Sequence, residues 1–523
     1  MGYASDYATA ILWRGREPMP PVDFAPNWPD APRRAKYYPG VLTLPLADAV
    51  PAPEATVDAA LSGPGEADEP FTLAQIASML RYSYGLLGRR LAVQANTDLP
   101  ALPSYSHANW HRGTASGGGL YPCSVYLVTG PGDEVPPGVY YYAHPHHALQ
   151  RLVAGDVTGT VRAALDRGDE TATRFLVVGI KYWQNAFKYN NFSYHAVTMD
   201  VGTVIGTWQL WAAAHGQRID PVMWFDTTVL TDLLGLPDGE EGVFAVVPLR
   251  STVDAPASPA VPTARVRHAD VERSRVVLDF DALNAMHRTA AAGTPARPAP
   301  GALAPALAVP AADGHRVALP EPAPMAVPLA DALRARRSSF GRFEAARPIS
   351  AAQLSASLSA CLAGRMRSEV RAPGEPPLTT LYVFVNHVDG VPAGSYEYDP
   401  AGPSLRRIGD RPPGEFLQRN YFLANYNLEQ AAVVVVPAIR THAVLDAVGD
   451  RGYNLVNAEI GAVAQNFYTS AAALSLGAGV ALGFDNISYI EELGLDGTGQ
   501  APLLIMLLGH ERALAGDYSY ELV

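Results

Sequence analysis

Cysteine is almost missing from this chain. Its 523 residues include Cys123 and Cys361 and no other thiol. Two cysteines cannot build a disulfide framework, so a reducing, cytoplasmic setting is expected. Charge is sparse as well, at 17% of residues, with a formal net charge of −12 and no run of Lys or Arg. A nucleic-acid partner is therefore not expected, and no metal is expected either. No stretch of about 18 apolar residues occurs, so no membrane span is expected. The N-terminus has no basic region followed by an apolar run, so no secretory signal is expected. What is abundant is apolar side chain, 48% of the total, as in a protein with large buried cores. At this length one core does not suffice, and about three domains or a few large ones are expected.

The chain matches itself. Pro136-Pro137-Gly138-Val139-Tyr140-Tyr141-Tyr142 is repeated as Pro392-Ala393-Gly394-Ser395-Tyr396-Glu397-Tyr398, an offset of 256 (394 less 138). Tyr126 matches Tyr382, and Val22-Asp23-Phe24 matches Leu278-Asp279-Phe280, at the same offset. Asp200-Val201-Gly202 matches Glu459-Ile460-Gly461, and Leu234-Gly235-Leu236 matches Leu493-Gly494-Leu495, both at 259 (461 less 202). Pro70-Phe71-Thr72-Leu73-Ala74-Gln75 matches Pro348-Ile349-Ser350-Ala351-Ala352-Gln353 at 278 (353 less 75). So long a period lies far above that of solenoid repeats and indicates a duplicated domain. The organisation expected is an arm over 1–68, a first half over 69–259, a second arm over 260–328 and a second half over 329–523. The Ala/Pro/Gly-rich stretch from Ala290 to Pro310 reads as an extended linker.

Both halves predict the same element order. A helix follows Thr72 or Ser350, with Leu and Ile three and four apart. Next come a strand (Val125 to Val128; Leu381 to Val385), a hairpin at the Pro-x-Gly-x-Tyr-x-Tyr repeat, and a β-rich run (Phe175 to Ile180; Ala431 to Val436). A long apolar helix (Asp200 to Ala214; Glu459 to Ala473) precedes a closing strand (Val243 to Val247; Leu503 to Leu508). Two hairpins imply an antiparallel or mixed sheet, and the class is α+β.

The differences between halves carry the functional signal. Half one has Ser116-Gly117-Gly118-Gly119 just before a buried strand. Three glycines remove every Cβ, so a flat ring can approach the backbone and its N–H groups; a plain tight turn is the competing reading. At offset 256, half two has Ala372-Pro373-Gly374-Glu375 instead. Half two has Arg336-Arg337-Ser338-Ser339, guanidiniums beside hydroxyls that suit a phosphate, or else a solvated basic patch. The counterpart in half one is Asp58-Ala59-Ala60-Leu61. Lys188-Tyr189 of half one is a candidate acid/base pair, or a snorkelling Lys beside a packed Tyr; its counterpart is Ala447-Val448. Each half keeps what the other lacks. A single site between the halves, binding a flat ring that bears a phosphate, uses every retained feature.

The set Ser-Gly-Gly-Gly-Leu-Tyr-Pro (116–122), Pro-Pro-Gly-Val-Tyr-Tyr-Tyr (136–142), Lys188-Tyr189 and Leu234-Gly235-Leu236 resembles the SagB-type dehydrogenases, a branch of the FMN-dependent nitroreductase fold. Arg336-Arg337-Ser338-Ser339 before Pro348-Ile349-Ser350 is similar to the nitroreductase phosphate signature. The resemblance implies a nitroreductase-like α+β fold in two tandem copies that form an intramolecular pseudo-dimer. It implies bound FMN, with Arg336, Arg337 and Ser338 on its phosphate and Ser116, Gly117, Gly118 and Gly119 lining the flavin. Gly483, in Ala481-Leu482-Gly483-Phe484-Asp485, would lie near the ring, and Arg512 would be a further phosphate ligand. The half-one counterpart, Val222-Met223-Trp224-Phe225-Asp226, lacks that Gly. Lys188 and Tyr189 would be catalytic. The implied activity is oxidation of thiazolines or oxazolines to thiazoles or oxazoles in a peptide or carrier-bound intermediate, with a cyclodehydratase complex as partner. Another flavin-dependent dehydrogenation, such as Cα–Cβ desaturation of a peptide, and an inactive scaffold are the alternatives. One departure stands out: Phe340 occupies the place where many nitroreductases carry a basic residue, and Arg342 follows two positions later.

Overall fold

Each half is built on an antiparallel sheet, and the two sheets share one strand order. In half one the order is Thr43–Pro45, Ala148–Ala154, Gly138–Ala143, Cys123–Thr129, Arg174–Lys181, Glu241–Leu249. In half two the same path reads Arg316–Ala318, Ser404–Gly409, Gly394–Asp399, Thr380–Val385, Val433–Ile439, Ile505–Gly509, and then adds Gly477–Ala481. Each arm supplies the strand at the corresponding edge. The computed structural model describes residues 2–47, 54–63, 69–91, 108–166, 170–251, 264–292, 296–311, 313–363, 366–372, 374–513 and 518–522. The boundary expected at 259/260, residues 293–295 of the expected linker, and Pro373 lie outside them. Among the described residues every pairing in the two large sheets is antiparallel, and Ile349–Ser350 with Val388–Asp389 makes a short parallel pair.

Local chemistry explains where the helices begin. Thr72 accepts the Gln75 N–H while Gln75 accepts the Thr72 N–H, a reciprocal capping box that starts helix Leu73–Ser83. Ser350 and Gln353 repeat the arrangement ahead of helix Ala351–Ala363. The central strands Cys123–Thr129 and Arg174–Lys181 are buried throughout, because helices cover both faces of the sheet.

Two long helices, Ser193–Ala213 and Gly452–Ala473, run through the middle of the molecule and pack on each other. They are apolar nearly all round, the pattern of a fully buried helix. Both begin seven residues earlier than the sequence pattern predicts. Their first turns carry polar residues that bond across the helix pair: Tyr194 donates to Asn454 at 2.8 Å, and His195 Nδ1 pairs with the Tyr453 hydroxyl at 2.8 Å. The repeated Gly202 and Gly461 sit at the crossing. A Cβ on Gly202 would lie 1.9 Å from the Ala458 carbonyl oxygen, and one on Gly461 2.0 Å from that of Met199. Only glycine permits this approach, which outweighs its cost of about 0.5–1 kcal/mol in a helix interior.

The second arm departs from the extended linker expected over 290–310. Its first residues end helix Asp281–Ala291, and Leu303 and Ala306 are fully buried. Alanine and leucine in this stretch supply enough apolar surface to bury, which the Pro-rich composition obscures. The C-terminal strand Tyr518–Glu521 crosses from half two to pair with Gly88–Leu91 of half one, which pairs with Ala108–His111. Among the described residues no helix is long and apolar enough to cross a membrane. Both cysteines are buried free thiols.

Candidate functional site

The glycine segment leaves strand Ala108–His111 and makes a tight turn before strand Cys123–Thr129. Gly118 and Gly119 have φ of 64° and 65°, the left-handed region that favours glycine. Both central helices hold the turn. From the first, Asp200 accepts the Ser116 hydroxyl at 2.6 Å and the Gly117 N–H at 2.8 Å, and Thr203 donates to the Ala115 carbonyl at 2.9 Å. From the second, Gln465 accepts the Ala115 N–H at 2.9 Å and donates to the Gly113 carbonyl at 3.0 Å. Burial pushes the Asp200 carboxyl up to about 7, against the opposing pull of its bonds from Ser116 and Gly117. From the first arm, Arg34 donates to the Gly119 carbonyl at 2.8 Å.

Lys188 and Tyr189 end the short helix Trp183–Tyr189 and stand over this turn. A Cβ on Gly118 would lie 2.5 Å from the Tyr189 hydroxyl and 3.0 Å from Lys188 Nζ. Lys188 Nζ is 4.7 Å from the centre of the Tyr189 ring and 5.8 Å from that of Trp28 in the first arm.

Half two supplies the facing wall. The chain turns out of helix Leu329–Ala335 at Arg336, which is buried. Arg336 Nη2 donates to the Arg112 carbonyl of half one at 2.9 Å, and its guanidinium lies 5.3 Å from the Tyr468 ring. Ser338 shares a 2.8 Å hydrogen bond with the Tyr468 hydroxyl, which also accepts the Val480 N–H at 3.1 Å. Burial raises the Tyr468 pKa, and the nearby phenol of Tyr121, just past the glycines, adds to the rise. Tyr421 is raised by burial, then by Tyr189 and Tyr468. Tyr468 thus anchors the arginine turn of half two, and it feels the charge of Tyr121 in half one, as Tyr421 feels that of Tyr189.

Other residues singled out in the sequence lie at varying distances from this centre. Arg337 turns away and pairs with Glu511. Phe340 stacks on Tyr426 with ring centres 5.1 Å apart, so it packs where a basic residue was expected. The Gly483 carbonyl accepts the Phe422 N–H at 2.8 Å, and the Leu423 side chain lies 3.3 Å from where its Cβ would be. Arg512 is tied through its N–H to the Arg342 carbonyl at 2.7 Å, and its guanidinium approaches Gln430 at 3.4 Å.

The pseudo-symmetric position is filled by the protein itself. Trp224, in the place of Gly483, is buried. Glu369 accepts the N–H groups of Met223 and Trp224 at 2.8 and 2.7 Å. Arg451 donates to the Phe225 carbonyl at 2.8 Å and to Thr227. The space left there, lined by Tyr182, Tyr194, Phe225 and Arg451, amounts to about 10 Å³, about the room one water needs. Glu459 accepts the Met366 N–H at 2.7 Å, as Asp200 accepts that of Gly117, so the acid survives in both halves while the glycine turn exists in one.

The residues of the glycine turn and arginine turn fit FMN. Among the described residues, buried Arg336 has an Nε with no hydrogen-bond partner, as has His111 Nδ1 on the adjoining strand, and an anion satisfies such groups. Gly118 lets the Tyr189 and Lys188 tips come close to the turn, and at Gly119 the Cβ position is open. Asp200, Gln465, Tyr421 and Tyr468 escaped the sequence reading. The one signal for Asp200 was an acid inside an otherwise apolar helix, noted only as a landmark of the repeat.

Residues 333–510 match the model of the nitroreductase family. A Methanocaldococcus jannaschii protein, a nitroreductase by name, is 33% identical over 135 residues, 25% of this chain and 64% of its own length. This chain therefore spans just under two thirds of that curated relative. The crystal structure of an Anabaena variabilis protein, also a nitroreductase by name, superposes with a TM-score of 0.72 at 21% identity, covering 98% of this chain and all of that one. A chain of the E. coli microcin synthetase complex is 18% identical, covering 34% of this chain and 70% of its own, with a TM-score of 0.29, too slight a likeness to argue from. The second half is thus similar to the nitroreductase family, and the fold is nitroreductase-like, in two tandem copies joined as a pseudo-dimer.

Proposed function

We propose that this protein is an FMN-dependent dehydrogenase that binds one FMN between its halves and oxidises thiazoline or oxazoline rings in a peptide natural-product precursor. The observation that carries the reading is the placement of Lys188 and Tyr189. Their polar tips stand over Gly118, where only the lack of a Cβ permits the approach, while Ala447 and Val448 at the equivalent point of half two offer no proton chemistry. Arg336 and Ser338 hold the phosphate, with Arg337 and Arg512 at its margin. Ser116, Gly117, Gly118, Gly119 and Gly483 border the ring. The azoline substrate follows from the likeness to SagB-type dehydrogenases, and a cyclodehydratase would supply it.

FMN, when bound, supplies the acceptor for a hydride and passes the electrons on to O₂. The protein's own residues do the rest. An azoline that becomes an azole loses two hydrogens, one as hydride and one as a proton, and gains one ring double bond. Lys188 Nζ or Tyr189 Oη takes that proton. Asp200 and Gln465 fix the glycine turn from the two sides, so the pair and the ring it serves keep one geometry. Trp28 flanks Lys188 at the mouth and limits water there.

The test is reconstitution. Purified protein should carry one FMN per chain, and a peptide containing one thiazoline should lose two hydrogens by mass spectrometry under air. A colourless protein that takes up no FMN, or two flavins per chain, overturns the reading. Uptake of FMN without change to the thiazoline peptide overturns the substrate assignment.

A further inference from the structure

We infer that His111 is a phosphate-binding residue, contributed by half one to the anion site whose other wall is the Arg336 turn of half two. The inference rests on the proposed FMN site. His111 lies opposite Gly88, and Arg90 opposite Asn109, in the pairing of strands Gly88–Leu91 and Ala108–His111. Residues two apart share a face of a strand, so His111 and Arg90 point to the same side.

That face is applied to the arginine turn. Arg90 donates to the carbonyls of Arg336 (3.1 Å) and Arg334. Arg336 reaches back to the Arg112 carbonyl, one residue beyond His111, at 2.9 Å. Gly88 makes room for the imidazole: a Cβ there would lie 2.9 Å from His111 Nε2. The pairing therefore brings a buried imidazole and a buried guanidinium to the same face, and among the described residues His111 Nδ1 and Arg336 Nε have no hydrogen-bond partner.

Unpaired buried donors are costly, and like-charged neighbours make this pair costlier. Burial, then the charges of Arg90 and Arg336, push the His111 imidazole down to about 3. The imidazole is thus neutral, with a proton available to donate. A phosphate placed between the two orphan nitrogens accepts from both. The sequence reading placed the phosphate site within half two; the strand pairing adds a ligand from the other half.

The test compares FMN with riboflavin, which has the same ring and no phosphate. Dissociation constants for both are measured by flavin fluorescence quenching on the full chain, for wild type, His111→Asn, His111→Gln and Arg336→Ala. The Asn amide keeps a donor at the place of Nδ1, whereas the Gln amide reaches the place of Nε2. His111→Gln should weaken FMN about tenfold, the scale of one charge-assisted bond, and leave riboflavin unchanged. His111→Asn should hold FMN within about threefold of wild type, since one donor is retained. Equal losses for both flavins in His111→Gln, or no loss for either, overturn the inference. If Arg336→Ala lowers the FMN preference and His111→Gln does not, His111 alone is misassigned. If Arg336→Ala also leaves the preference intact, the phosphate site itself is misplaced.

Discussion

Replacing Gly118 by alanine tests the centre of the proposed site, and Gly119→Ala is its control. Both glycines have φ near +65°, so both substitutions carry the same backbone strain, about 1–2 kcal/mol for a left-handed L-residue. They differ in what the new methyl meets. At Gly118 it would lie 2.5 Å from the Tyr189 hydroxyl and 3.0 Å from Lys188 Nζ, whereas at Gly119 no atom lies within 4 Å. Restoring ordinary contact at Gly118 requires the Tyr189 tip to move by about 1 Å. A misplacement of that size in a catalytic group costs on the order of 10²-fold in rate. Both variants should therefore unfold in urea with similar losses of about 1–2 kcal/mol. Turnover of a thiazoline peptide per bound FMN should fall on the order of 10²-fold in Gly118→Ala and stay near wild type in Gly119→Ala. Equal turnover per flavin in the two variants would refute the placement of Lys188 and Tyr189 at the reacting centre.

Arg336→Ala and Ser338→Ala should each weaken FMN retention, the first by about 10- to 100-fold given the 1.5–3 kcal/mol of a charged hydrogen bond; full flavin occupancy in the double variant, read from absorbance, would show that the phosphate binds elsewhere. Lys188→Ala and Tyr189→Phe should remain folded and yellow while losing about 10²–10⁴-fold in oxidation rate, the usual share of a positioned acid or base; loss of flavin with turnover per flavin unchanged would instead mark the pair as a structural brace. The third concerns pH. Asp200 is raised to about 7 in the folded chain, against about 3.9 when unfolded, so the folded state binds more protons across that window. Stability should then fall as pH rises from about 4 to about 7, by at most about 1.4 kcal/mol per pH unit from this group. Asp200→Asn should flatten the pH dependence of urea unfolding there, and an unchanged slope would exclude Asp200 as its source.

By itself the sequence determined the duplication, the order of elements and which half keeps which feature. These are properties of near neighbours along the chain. The Thr72–Gln75 and Ser350–Gln353 caps each span three residues, and the paired tyrosine hairpins repeat within seven positions. Gly202 and Gly461 were legible only as landmarks of the repeat; that the two helices cross there is decided by packing. The reading failed where one residue answers another far away. Nothing near Gln465 announces that it bonds Ala115, 350 residues earlier, or that Tyr468 pairs with Ser338, 130 residues before it. Arg336 and Arg337 read alike as a cationic pair, yet one is buried against half one and the other pairs with Glu511. Local pattern fixes the periodicity and the caps. Only the packing of the two halves decides which side chains meet across their interface, because that choice depends on groups brought together by the fold and not by the chain.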